Sequence, residues 1–240
     1  MKAMILAAGI GSRMGRLTKD KPKALISLNQ IPILEHVIRR LITAGVSEII
    51  INVHHFADQI VKFIQEKNNF DIRIEFSRED KLLDTGGGLK NAQWFFDDHE
   101  PFILHNVDII SEIDMKEFSQ KIKKSDALAI LAVRKRLSTR QLLFDDHLRL
   151  MGWKSTGKDQ LKIISNRQTE NLQEYAFLGI HVISPDLLKL LPRSSKFSII
   201  NAYLQISSRY MRIFGSVQNK GFWLDVGTPG NIEKAEALLK

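Results

Sequence analysis

Apolar runs and amphipathic stretches alternate along the chain, and their spacing predicts the elements. The stretch "KAMILAA" (2–8) has the length and character of a buried strand. In "PILEHVIRRLITA" (32–44), Ile33, Val37, Ile38, Leu41 and Ile42 recur at helical spacing, with Pro32 in the first turn and Gly45 as the stop. "EIIINV" (48–53) is continuously apolar, as in a central parallel strand. "FADQIVKFIQEK" (56–67) returns to helical spacing through Ile60, Val61 and Ile64, and "IRIEF" (72–76) alternates as a strand does. A helix over 89–96, a strand within 101–108, a helix over 115–125 and a strand over 127–133 follow. Strand and helix thus take turns through the first half, which predicts an α/β fold with a parallel sheet and right-handed crossovers.

The pattern changes in the second half. "LLFDDHLRLMGW" (142–153) predicts a hairpin turning at Asp145-Asp146-His147, and 175–184 predicts a strand. Two helices are expected near 185–191 and 198–208. "MRIFGSV" and "FWLDV" are expected to pair as strands, and "PGNIEKAEALLK" (229–240) to form a closing helix with Pro229 at its start. The polar stretch 154–171 is the candidate mobile loop. No repeat, low-complexity tract or long linker interrupts this order.

Composition narrows the class. The chain has 240 residues, enough for a sizeable core in one large α/β domain. It has no cysteine, which excludes disulfides, zinc-thiolate sites and cysteine nucleophiles and agrees with a cytoplasmic location. The apolar start is short and leads into Arg13, Arg16 and Lys19 rather than a cleavage region, and no run reaches the ~18 apolar residues of a membrane span. The net charge is +8. Eight Lys or Arg against Asp20 and Glu35 place +6 of it within residues 1–40. The excess gathers beside a glycine loop and is not interleaved with aromatics, which favours a small phosphorylated ligand over nucleic acid.

That loop, "LAAGIGSRMG", follows the first strand, where α/β sheets bind ligands. It does not spell the P-loop G-x-x-x-x-G-K-[ST]. It also misses the dinucleotide fingerprint: Met14 stands at the third glycine position, and the next parallel strand ends in "NVHH" with no acidic residue for a ribose. Small side chains at Ala7, Ala8, Gly9 and Gly11 would nevertheless let backbone amides approach a nucleotide.

The longer stretch "LAAGIGSRMGRLTKDKPKAL" resembles the signature of the sugar-1-phosphate nucleotidylyltransferases, or NDP-sugar pyrophosphorylases. Leu6, Ala7, Ala8, Gly9, Gly11, Arg13, Met14, Leu17, Thr18, Pro22, Lys23 and Leu25 occupy its fixed positions. The resemblance continues through "DTGGGL" (84–89), Asp108 and "WLDVGTP" (223–229). It is strongest to enzymes of the N-acetylmuramate-1-phosphate uridylyltransferase and mannose-1-phosphate guanylyltransferase type. It implies a Rossmann-like three-layer α/β/α nucleotidyltransferase fold with a mixed, mostly parallel sheet and a small sugar-side lobe. One domain would then span 1–240, with nucleotide bound by 1–135 and sugar by 136–240. No further domain is expected after the closing helix, nor a second acyltransferase activity.

The resemblance also assigns roles. Arg13 and Lys23 would be catalytic, set on the phosphates. Leu6, Ala7, Ala8, Gly9, Gly11, Thr85 and Gly86 would bind the nucleotide, with Glu79 in the region that reads the base. Gly87, Asn106 and Gly179 would meet the sugar phosphate. Asp108 and Asp225, each ending a predicted strand, would hold Mg²⁺ against phosphate oxygens. One departure stands out: relatives read N-G-D where this chain has Asn106-Val107-Asp108, which adds bulk near the sugar-phosphate site and bears on the acceptor's identity. The histidines show no metal spacing; His105 and His181 read as core residues, and Trp94, Phe95 and Phe96 as helix-to-sheet packing.

The chemistry expected is transfer of a nucleotidyl group from a nucleoside triphosphate to a sugar-1-phosphate, releasing pyrophosphate. The leading pair is UTP with N-acetylmuramate-1-phosphate or a related hexose phosphate. Alternatives are GTP with mannose-1-phosphate, a phosphocholine cytidylyltransferase-like reaction, and a nucleotide-binding module without turnover. Neither nucleic acid nor membrane is an expected partner.

Overall fold

The computed structural model describes residues 1–164 and 171–239. Its elements run β1 (Lys2–Leu6), β2 (Ser27–Leu28), β3 (Ile31–Pro32), α1 (Ile33–Thr43), β4 (Glu48–Val53), α2 (Ala57–Glu66), β5 (Arg73–Arg78), α3 (Asp84–Asn91), β6 (Phe102–Asn106) and β7 (Ile109–Ser111). There follow α4 (Met115–Lys123), β8 (Ala129–Arg134), β9 (Arg140–Phe144), β10 (Leu150–Ser155), β11 (Gln160–Ile163), β12 (Gln173–Ile183), α5 (Ile199–Tyr210), β13 (Ile213–Val217), β14 (Trp223–Asp225) and α6 (Pro229–Leu238).

Strands β5, β4, β1 and β6 pair in parallel, as the apolar runs predict. The long β12 pairs antiparallel with β6 on one side and β8 on the other, and β13 extends the sheet parallel to β8. The start of β12 leaves that sheet's plane of pairing and takes β9 instead, from which β10 and β11 continue. The result is a mixed, mostly parallel sheet with an antiparallel branch.

Alternation along the strands feeds two cores. Ala3 and Ile5 of β1 join Ile49 and Ile51 of β4 beneath α1, α2 and α4. Met4 and Ile50 point the other way, to Leu89 of α3 and Ile199, Tyr203 and Ile206 of α5. The layers are therefore α/β/α. Each fully buried side chain of this size contributes roughly 1.5–3 kcal/mol relative to exposure, which holds the carboxyl ends of β1, β4 and β6 in one row. No helix among the described residues is long and apolar enough to cross a membrane.

Several expectations are corrected. "DTGGGL" is the first turns of α3, not a turn ahead of a helix at 89–96, and residues 93–95 form only a 3₁₀ turn. Bare glycine faces let the helix press against its neighbours from its first turn. Residues 185–190 are likewise a 3₁₀ turn. The runs "MRIFGSV" and "FWLDV" do not pair with each other: β13 lies on β8, and β14 lies antiparallel on the three-residue β7. Of the predicted mobile loop, 154–155 end β10 and 160–163 form β11 on it. Residues 165–170 of that stretch, and Lys240 of the closing helix, lie outside the described residues.

Candidate active site

Lys23 is reached by a chain that leaves β1, makes a 3₁₀ segment over Ser12–Thr18, and straightens at Pro22. Pro22 holds an extended conformation and accepts from the amide of Leu25, so Lys23 opens a single tight turn. Its side chain is buried and its ammonium donates to the Asp108 carboxylate. Asp108 follows β6, one of the parallel strands whose carboxyl ends line up.

Asp225 arrives from the other end of the chain. Strand β14 sets it opposite Ile109 of β7, and the amide of Val226 donates to the Asp108 carbonyl at 2.8 Å. The two aspartates thus belong to neighbouring backbones although 117 positions separate their numbers. Asn231 donates to the Asp225 carbonyl at 2.6 Å, and the Gly227 amide to its Oδ1 at 2.7 Å. Arg13, mostly exposed, pairs with the same carboxylate at 3.9 Å. A Cβ on Gly227 would lie 2.6 Å from Asp225 Oδ1, 2.7 Å from Arg13 Nη2 and 3.0 Å from Lys23 Nζ. One glycine therefore leaves the space in which two cations and an anion meet. The structure brings Arg13, Lys23, Asp108 and Asp225 together.

A cavity of about 450 Å³ opens from this cluster along the strand ends. Leu6, Ala8 and Gly9 of the glycine loop line it, with Thr85, Asn106 and Asp108. The position a Cβ would take on Gly9 meets nothing within 4 Å, so that space is free for a ligand. The other small residues act differently. The Ala7 amide donates to Asn52 Oδ1 at 2.7 Å and is not turned to the cavity's contents. Gly11 has φ +66°, and a Cβ there would come within 2.9 Å of Thr18 Cγ2 and 3.2 Å of Lys23 Cβ. It shapes the loop on which Lys23 sits.

The glycines of α3 also have their own reasons. Both Gly86 and Gly87 donate to the Phe197 carbonyl, and their bare faces meet the Phe197 ring and the Ser195 carbonyl. Neither lines the cavity; Thr85 does, while its hydroxyl accepts from the Ile199 amide at 3.0 Å. Gly179, at φ +76° in β12, leaves the space that Asn106 Nδ2 and Ile109 occupy. It thereby makes room for Asn106, which lines the first cavity. Val107 lines the first cavity.

Two residues went unread in the sequence. Asn52 links the Ala7 amide to Glu79 Oε1, to which it donates at 2.7 Å. Glu79 Oε2 in turn accepts from the Leu83 amide at 3.0 Å, just before α3. Each oxygen of Glu79 thereby accepts one hydrogen bond, so its carboxylate braces the glycine loop against α3 while it also lines the cavity. The signal for Asn52 was present: a lone polar residue near the carboxyl end of the apolar run "EIIINV". The second is Arg136, which shares with Asp225 the wall of a separate cavity of about 410 Å³.

No group of three or more His, Asp or Glu side chains suited to a metal occurs among the described residues. Two carboxylates alone suit Mg²⁺, which keeps most of its octahedral positions for water and substrate phosphate oxygens. Asp108 and Asp225 fit that donor set. His105 and His181 do not belong to either cavity. Both are fully enclosed, and burial pulls their pKa values down, to about 4 and about 3.

The family model described as nucleotidyl transferase matches residues 2–141. An N-acetylmuramate alpha-1-phosphate uridylyltransferase of Caulobacter vibrioides is 29% identical, over 99% of this chain and 96% of its own. A mannose-1-phosphate guanyltransferase beta-A of Xenopus laevis is 28% identical, over 95% of this chain; the chain spans 62% of that protein. Among solved structures, HddC from Yersinia pseudotuberculosis complexed with GMP-PN superimposes with a TM-score of 0.77 at 22% identity, covering 100% of this chain and 99% of its own. UDP-glucose pyrophosphorylase from Acinetobacter baumanii gives 0.77 at 17% identity, covering 98% and 91%. At these identities the superpositions bear on the fold alone.

Proposed function

The chain belongs to the nucleotidyl transferase family, and from that premise we propose that it transfers a nucleotidyl group from a nucleoside triphosphate to a sugar-1-phosphate, releasing pyrophosphate. The observation that carries the reading is the position of the Lys23–Asp108 and Arg13–Asp225 pairs between two cavities, one lined by the glycine loop and Asp108, the other by Asp225. The first would take the triphosphate and the second the acceptor, so that residues 1–135 and 136–240 divide the two substrates.

The chemistry asks little of the protein beyond placement and charge. A sugar-1-phosphate is mostly a dianion at pH 7, because its second pKa is about 6. Its oxygen attacks the α-phosphorus, a P–O bond forms, and the bond to the β-phosphate breaks with pyrophosphate as leaving group. No general base is needed, and neither buried histidine lines either of these two cavities. Lys23 and Arg13 would neutralise charge that develops as the two anions meet. Mg²⁺, when held by Asp108 and Asp225, would add charge neutralisation at the phosphates.

UTP with N-acetylmuramate-1-phosphate is the leading pair, supported by a relative that this chain matches nearly end to end. GTP with mannose-1-phosphate is the second, supported by the guanyltransferase relatives, of which the chain spans about three fifths. The test is pyrophosphate release with Mg²⁺, crossing five nucleoside triphosphates with a panel of sugar-1-phosphates. One preferred pair is expected. Bound nucleotide with no release on any acceptor would favour a binding module and overturn the reading.

A further inference from the structure

The second cavity carries a charge that the reaction at the phosphates does not account for. Arg136, Arg140 and Lys162 line it, and Asp225 is the one carboxylate on its wall among the described residues. Arg136 is the most constrained of the three. Its guanidinium lies 4.3 Å from the centre of the Trp223 ring, and that ring is fixed by its own indole N–H, which donates to the Leu178 carbonyl at 2.8 Å. Its Nη1 donates to the Leu137 carbonyl at 3.1 Å, while its buried Nε has no partner among the described residues.

A second orphan sits on the same wall. Gln141 Nε2 donates to the carbonyls of Arg136 and Ser138 at 3.1 and 3.4 Å, which leaves Oε1 buried and unpaired among the described residues. A fixed cation and a fixed amide thus line one cavity, each with one buried polar atom that has no partner among the described residues. Buried polar atoms without partners are costly, and a ligand relieves these two where the side chains turn toward it. An anion answers Arg136, and a hydroxyl or amide N–H answers Gln141. Arg140, exposed at the edge, and Lys162, held 3.3 Å from Asn201 Oδ1, extend the positive field to the cavity mouth.

We infer that the acceptor carries a second negative group besides its 1-phosphate, a carboxylate or a further phosphate, and that Arg136 holds it with Arg140 and Lys162 while Gln141 accepts from a neighbouring hydroxyl or amide. The inference rests on the reading of this cavity as the acceptor side. A neutral sugar brings no counter-charge to Arg136, Arg140 and Lys162 when it binds, and the cost of taking these cations out of water discriminates against it.

Four acceptors separate the possibilities: N-acetylmuramate-1-phosphate against N-acetylglucosamine-1-phosphate, which lacks the carboxylate, and glucose-1,6-bisphosphate against glucose-1-phosphate. With the preferred nucleotide, the charged member of one pair is expected to show kcat/KM about tenfold or more above its neutral partner. Preference in the first pair identifies a carboxylate and in the second a phosphate. In Arg136→Gln that ratio is expected to fall to near one, mostly through KM. Arg140→Gln with Lys162→Gln, both at exposed positions, is expected to lower it in part and serves if Arg136→Gln fails to fold. Equal rates within both pairs, or a ratio that neither variant moves, would overturn the inference. If no acceptor turns over, the transfer reading fails separately, and calorimetric binding of the same four compounds decides by the same ratios.

Discussion

Lys23 donates to Asp108 from a position 85 residues earlier, and both side chains are largely enclosed where they meet. Neither group is a surface decoration: the ammonium has left water for one carboxylate. Removing a single partner of such a pair leaves a charge in poor solvent, at roughly 3–5 kcal/mol where burial is complete. Lys23→Met should therefore destabilise the fold by about 2–3 kcal/mol, less than the full figure because Asp108 retains some exposure. Asp108→Asn keeps a neutral hydrogen-bonding group beside Lys23 and should melt closer to the parent. Both should lower pyrophosphate release at least about 100-fold, with Asp108→Asn retaining part of its nucleotide binding. Thermal melts and pyrophosphate assays read these outcomes, and near-parental turnover by Asp108→Asn would remove Asp108 from the reaction.

The Ala7–Asn52–Glu79–Leu83 relay couples the glycine loop to the start of α3. Asn52→Leu keeps the volume and strands the Ala7 amide and one Glu79 oxygen, at about 1–3 kcal/mol each. Gly88→Ala attacks the same link from outside, since its Cβ would stand 2.7 Å from Asn52 Nδ2 and 2.8 Å from Glu79 Oε1. Both variants should lower the denaturation midpoint and raise KM for the triphosphate, with the acceptor KM less affected. If combining them destabilises by the full sum of the single effects, the two do not act on one network.

The two loop glycines should part company. Gly11→Ala places a side chain at φ +66° and 2.9 Å from Thr18. It should cost about 1–2 kcal/mol from the left-handed backbone alone. Gly9→Val meets open space and should leave the melting temperature within a degree or two, yet raise the nucleotide KM about tenfold or more by filling the cavity. A Gly9→Val enzyme with parental KM would mean that the triphosphate does not pass that face of the loop.

What could be read from the sequence followed physical range. The parallel half was legible because β1, β4 and β6 are apolar throughout and α1 has a clean stripe. Arg13, Lys23, Asp108 and Asp225 were legible because a charged residue stands at a motif position or a strand end. The relay through Asn52, the pairing of β14 with β7, and the stacking of Arg136 on Trp223 depend on contacts between distant segments, which no local period encodes. The glycines of α3 misled for the same reason: composition says turn, whereas their purpose is the approach of Phe197 and Ser195.

Acid should expose the two enclosed histidines. His105 Nδ1 donates to the Asn106 carbonyl at 2.8 Å, and His181 Nδ1 shares a 2.8 Å hydrogen bond with the Tyr203 hydroxyl. Burial holds their pKa values at about 4 and about 3, against about 6.5 in an unfolded chain. Above pH 6.5 both are neutral in either state and affect the pH dependence little. As pH falls below that, the unfolded chain takes up protons that the folded one refuses, so stability falls with pH and continues to fall toward pH 4. The slope approaches about 1.4 kcal/mol per pH unit and group, so the pair should remove roughly 3 kcal/mol between pH 6.5 and 5. His105→Gln with His181→Gln keeps a polar partner at each place and cannot titrate. Urea denaturation of that variant should show a much shallower loss over the same interval, after allowance for its lower starting stability. A loss as steep as the parent's would assign the acid sensitivity to other groups.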